Sequence, residues 1–149
     1  MNIKICSRKS ILKESINYKH AIIIYESRDA VTDQIVVEVN NYFTSFLILC
    51  FDDIDSPQHG FISPNEEHIR EALQYSINKE KLLVSCQAGI SRSSSLSYIL
   101  ACNKILPKDA IKILDHNKHT PNELVIQIGT DILGNEDIWT EFDNWRIRS

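Results

Sequence analysis

The sequence predicts an α/β domain with a mainly parallel central sheet flanked by helices, and three observations carry that expectation. Ala21-Ile-Ile-Ile-Tyr25 and Lys81-Leu-Leu-Val-Ser85 are short apolar runs, the first rich in β-branched residues, as buried strands require. Two segments, near 64–78 and 121–133, carry apolar residues at helical spacing behind N-terminal capping signals. Residues 81–103 then form a strand–loop–helix unit.

The elements follow in order. Asn2–Cys6 suits a short strand and Ser10–Asn17 a helix-prone segment. Across 26–43 the pattern is ambiguous, and Ile35-Val-Val37 fits strand or helix equally. Thr44–Phe51 suits a central strand ending in the acidic turn Asp52-Asp-Ile-Asp-Ser-Pro57. Ser63, Pro64 and Glu66 predict an N-cap, a first-turn proline and a capping box. Ile69, Ala72, Leu73 and Ile77 then line one face of a helix to about Asn78. Ser93–Asn103 is the next helix, and Pro107 opens another to about His116. Thr120-Pro-Asn-Glu123 repeats the capping box, with Leu124, Ile128 and Ile132 facing inward and Gly134 as the stop. Ile138, Phe142 and Trp145 make a last amphipathic stretch, which reads as core packing.

Composition narrows the function classes. A chain of 149 residues, with no repeat or linker, is expected to be one domain spanning 1–149, monomeric by preference. Its start lacks a signal-peptide pattern, and its longest apolar run, Phe46–Phe51, is too short to cross a bilayer, so a cytoplasmic location without a membrane partner is expected. A net charge of −4 offers no basic face for nucleic acid. Cys6, Cys50, Cys86 and Cys102 are widely spaced and are expected as free thiols. The five histidines show no metal-ligand spacing, so neither metal nor cofactor is expected.

The chemistry lies in Cys86-Gln-Ala-Gly-Ile-Ser-Arg-Ser93, where a buried strand runs into a short loop that opens a helix. Successive loop amides and a helix N-terminus bind anions. The amides of Gln87, Ala88, Gly89, Ile90, Ser91 and Arg92 are thus expected to cradle a phosphate, with Gly89 permitting the curl. Arg92 adds a planar fork of donors to two phosphate oxygens. The same positive field favours the anionic form of a thiol, which makes Cys86 the expected nucleophile. Ser93 stands ready to donate a hydrogen bond to that sulfur as it leaves.

With its apolar strand before and helix after, this string resembles the signature of the cysteine-based protein tyrosine phosphatases, H-C-x-x-G-x-x-R-[ST]. The resemblance is strongest to their compact dual-specificity branch. Phe51-Asp-Asp-Ile54 is similar to that family's general-acid loop, and Thr120-Pro-Asn-Glu-Leu124 to the helix start after the signature. Matching motifs cover roughly 46–134. The resemblance implies a three-layer α/β sandwich and hydrolysis of phosphate monoesters through a cysteinyl phosphate.

It also implies Asp53 as general acid, with Asp55 the next candidate and Asp52 a third. The loop between Cys86 and Arg92 carries no lysine, which favours a phosphorylated protein, phosphotyrosine first, over an inositide. Ser85 departs from the family's histidine before the cysteine, so slower turnover is expected. That departure keeps a phosphate-binding pseudophosphatase in play, with a rhodanese-like sulfurtransferase as a more distant alternative. Asn122 is a candidate brace for the phosphate loop, and Cys50 and Cys102 are candidate disulfide partners for Cys86, though burial as small apolar residues explains them better.

Overall fold

The computed structural model describes residues 1–27 and 32–148. Its centre is a sheet of four parallel strands: β1 (Asn2–Ser7), β2 (His20–Tyr25), β3 (Ser45–Cys50) and β4 (Lys81–Cys86), in the order β1-β4-β2-β3. The two strands with continuously apolar sequences, β2 and β4, lie in the middle and are buried on both faces. Thr44–Phe51 was expected to be central, but β3 forms an edge and is mostly half-buried.

Side-chain alternation splits the core in two. Ile22, Ile24, Leu82 and Val84 face one cluster, while Ala21, Ile23 and Leu83 face the other. The second cluster is closed by α1 (Ile11–Glu14) and α2 (Asp33–Tyr42), through Ile11, Val39 and Phe43 beside the helix end. The first is closed by α3 (Glu66–Ser76), α4 (Arg92–Cys102), α5 (Pro107–Ala110), α6 (Glu123–Leu133) and α7 (Asp137–Ile147). The result is a three-layer α/β sandwich, as expected. The open question at Ile35-Val-Val37 resolves to helix, with Thr32 Oγ1 capping Ile35 N–H. The rest of the ambiguous stretch, residues 28–31, lies outside the described residues.

Several boundaries differ from expectation for local reasons. Helix α3 starts two residues later than Ser63 implied: Asn65 caps it, and His68 Nδ1 accepts from Asn65 N–H to complete the box. That bond needs the neutral imidazole, and burial pushes the His68 pKa down accordingly. The helix ends at Ser76, which turns Ile77 outward to 64% exposure. Helix α6 is capped by Asn122 rather than Thr120, so its buried stripe runs through Val125, Ile126 and Gly129. Gly129 lies so close to α4 that a Cβ there would meet the Ile99 side chain at 2.5 Å. The helix from Pro107 stops at Ala110 and tightens into a 3-10 turn, Ile111–Ile113. Gly134 ends α6 in the left-handed conformation, as its position predicted.

Helix α4 is the spine of the helical layer, with ten of its eleven residues buried. Four of them are serines, which suit a helix interior only if their hydroxyls find partners. Ser94 and Ser95 donate to carbonyls one turn back. Ser97 is the exception, a buried hydroxyl without a hydrogen-bond partner among the described residues. Ser97→Ala removes that cost and improves helix propensity, so we expect it to stabilise the protein by up to about 1 kcal/mol in urea unfolding. Destabilisation instead would mean that the hydroxyl does have a partner.

Candidate active site

All four strand C-termini converge on one edge of the sheet, where parallel α/β sheets bind ligands. Strand β4 delivers Cys86 as its last residue, and α4 begins at Arg92, so residues 87–91 must turn the chain within five positions. Gly89 makes the turn possible with φ +71°, and its missing side chain admits the end of β1. A Cβ there would lie 2.7 Å from Cys6 C and Ser7 N. The loop's carbonyls point into its supports. Gln87 O accepts from Arg8 N–H at 3.3 Å, Ile90 O from Thr120 N–H at 3.1 Å, and Ser91 O from Asn122 N–H at 3.3 Å.

A cavity of about 330 Å³ opens over this loop, lined by Glu26, Asp53, Cys86, Gln87, Ala88, Ile90, Ser91 and Arg92. Cys86 sits at 2% exposure, with its Sγ 3.0 Å from Ser93 Oγ. Arg92 is held from two sides: Nη1 donates to Phe51 O at 2.9 Å and Nη2 to Glu26 Oε1 at 2.5 Å. Those two bonds occupy two of its five N–H groups and fix the plane of the guanidinium.

The acidic turn after β3 divides its carboxylates by position. Asp52 is buried and structural, accepting from Ile62 N–H at 2.8 Å, Ser27 N–H at 3.1 Å and the Ser27 hydroxyl. Burial opposes its charge, but those hydrogen bonds and the Arg92 charge outweigh it and hold the carboxyl below the usual range. Asp53 is exposed and faces the loop: its Oδ1 accepts from Ser91 Oγ at 2.7 Å and from Asn122 Nδ2 at 3.0 Å. Asp55 lines a neighbouring hollow with Gln58, Thr120 and Glu123, outside the cavity that holds Cys86. Asn122 therefore braces the site twice, by its main chain to the loop after Cys86 and by its side chain to Asp53 and Ile54 O.

The remaining cysteines stand apart. None of the four cysteines is in a disulfide among the described residues. Cys102 lies at the far end of α4, where burial pushes its thiol up to about 12. Burial also raises Cys6 to about 11, eased by a hydrogen bond with Ser85. Cys50 ends β3, and β2 lies between it and β4, beyond the reach of a disulfide to Cys86 without backbone movement. Ser85 is fully buried on the opposite face of β4 from Cys86, bonded to Cys6 and the Cys86 carbonyl rather than to the sulfur. Among the described residues no His, Cys, Asp or Glu cluster has metal-holding geometry, and no helix is long and apolar enough to span a membrane.

No protein-family model and no curated protein matches the sequence. Solved structures do. The crystal structure of Tk-PTP in the active form superposes with a TM-score of 0.63 at 10% identity, covering 91% of this chain and 93% of that one. The fold is that of the protein tyrosine phosphatases. PTPMT1 in complex with PI(5)P superposes at 0.57 and 13% identity, covering 89% and 93% of the two chains. The human tyrosine phosphatase-like serine/threonine/tyrosine-interacting protein does so at 0.57 and 14%, covering 87% and 85%. Within the phosphatase fold, two charged neighbours of the loop escaped sequence reasoning. Glu26 follows the buried strand β2 and Arg8 follows β1, each at the ligand-binding edge of the sheet. That position was the signal available for both.

Proposed function

We propose that this protein hydrolyses phosphate monoesters, phosphotyrosine in proteins first among them, through a cysteinyl-phosphate intermediate. The observation that carries the reading is the convergence of the Cys86 sulfur, the fixed Arg92 guanidinium and the Asp53 carboxyl on one small cavity.

Cys86 Sγ attacks phosphorus in line with the ester oxygen, while Arg92 and the amides of Gln87–Arg92 hold the other oxygens. Asp53 gives its proton to the leaving oxygen as the P–O bond breaks. Water then attacks the phosphocysteine, Asp53 takes its proton, and the S–P bond breaks with Ser93 Oγ donating to the departing sulfur. Sulfur supplies the nucleophile and arginine the countercharge, so the steps call for no metal or cofactor. Gln87, Ala88, Ile90 and Ser91 are uncharged, which supports a singly phosphorylated group over an inositide headgroup carrying extra phosphates. We place the enzyme in the cytoplasm as a monomer, acting on phosphoproteins with neither nucleic acid nor membrane as partner.

Asp53 rather than Asp55 takes the acid role because it alone of the two lines the Cys86 cavity. With p-nitrophenyl and phenyl phosphate as substrates, Asp53→Asn should lower kcat by about 10²–10³-fold, more for the poorer leaving group, and abolish the acidic pH optimum. Asp55→Asn should keep kcat within about threefold and retain that optimum. The opposite pattern would reassign the acid. Turnover indifferent to both would argue against a phosphatase.

A further inference from the structure

We infer that Asn122 is a positioning residue for the acid: its carboxamide holds Asp53 through one oxygen, Oδ1, and so reserves Oδ2 for the proton that passes to the leaving group. The inference rests on the phosphatase reading above and gives Asn122 a part in proton transfer that bracing the loop after Cys86 does not require.

Asp53 stands exposed in an acidic turn, where an untethered carboxyl group samples many orientations. Proton transfer needs one of them. Asn122 is buried at the start of α6, and each end of its amide meets a partner of fixed kind. Its Oδ1 accepts from Val125 N–H at 3.0 Å, and its Nδ2 donates to Ile54 O at 3.1 Å. A main-chain N–H can only donate and a carbonyl oxygen can only accept, so the amide cannot be turned over. The second N–H of Nδ2 is left for Asp53 Oδ1, 3.0 Å away.

An amide NH2 donates and does not accept, so the acid oxygen that faces it is the one without the proton. Ser91 Oγ, 2.7 Å from the same oxygen, adds a second donor. Among the described residues no hydrogen bond reaches Oδ2, and Asp53 lines the cavity that holds Cys86. Oδ2 therefore gives its proton to the ester oxygen in the first step and takes one from water in the second. Oδ1 keeps both donors throughout, so these contacts need not reorganise between the steps.

Leaving-group dependence tests the inference. Asn122→Ser keeps an oxygen to cap α6 and the main-chain N–H to Ser91 O, but loses both amide donors. We compare kcat/KM, which reports the reaction up to departure of the leaving group. It should fall by about tenfold for phenyl phosphate and by less than about threefold for p-nitrophenyl phosphate, whose leaving group departs without the proton. In the Asp53→Asn background, Asn122→Ser should change phenyl phosphate turnover by less than about twofold, because no acid remains to be positioned. Orthovanadate, a phosphate mimic, should bind Asn122→Ser within about threefold of wild type in titration calorimetry. Equal losses with both esters, a loss that persists beside Asp53→Asn, or a larger loss of vanadate affinity each overturn the inference, since they mark an asparagine that only supports the loop. Wild-type kinetics in Asn122→Ser overturn it as well. A wild type that hydrolyses neither ester overturns the phosphatase reading itself.

Discussion

Cys86→Ser is expected to lower turnover of p-nitrophenyl phosphate by about 10⁴-fold or more while leaving the protein folded. An alcohol is a far poorer nucleophile than a thiolate near neutral pH. The replacement is smaller than sulfur by little, and the hydrogen bond to Ser93 Oγ, 3.0 Å from the native sulfur, survives as one between hydroxyls. The arginine and the loop are untouched, so the variant should still bind vanadate and be stabilised by it in thermal unfolding. Activity within tenfold of wild type would remove Cys86 from the chemistry.

Arg92→Lys should be nearly as damaging, with kcat/KM falling by about 10²–10³-fold. Charge is conserved, so a purely Coulombic role would survive the change. What is lost is the fork: one ammonium cannot donate to Phe51 O and Glu26 and also present two parallel N–H groups to a phosphate. Vanadate should no longer raise the melting temperature of this variant. Near-native kinetics would mean that the guanidinium only packs the start of α4.

How much of this was legible in the sequence follows from the reach of each interaction. The strands β2 and β4, the loop between Cys86 and Arg92 and the stop at Gly134 are written in contiguous residues, and the structure has them where the pattern put them. Their determinants are local: apolar runs, a left-handed glycine, a helix start. The caps at Asn65 and Asn122 each lie two positions beyond the expected Ser63 and Thr120, because several polar residues near each helix start compete for the cap, and α3 frays two residues before Asn78, which leaves Ile77 outside it. The edge placement of β3 depends on which strands pair, and its apolar sequence is nearly as continuous as that of a central strand. Helix α2 was ambiguous since its Ile35-Val-Val37 favours strands intrinsically, and packing of Val39 and Phe43 beneath the sheet decides it.

The site divides in the same way. Cys86, Arg92 and Ser93 are neighbours in the chain and were found together. Glu26 meets Arg92 across 66 positions, and Asn122 meets Asp53 across 69. Contacts of that separation leave no periodic trace. A lone glutamate after a strand therefore looks like any solvated turn until the sheet brings the four strand ends together.

The intermediate itself offers the most direct test. Asp53→Asn lacks the base that activates water, while p-nitrophenolate is a good enough leaving group to depart unprotonated, so phosphocysteine should accumulate when this variant is mixed briefly with p-nitrophenyl phosphate and quenched. Mass spectrometry of the digest should then find one phosphoryl group, on the peptide containing Cys86 and attached at sulfur. Turnover by wild type with no phosphoryl group trapped on Cys86 in the variant, or with the group on another side chain, would contradict the account.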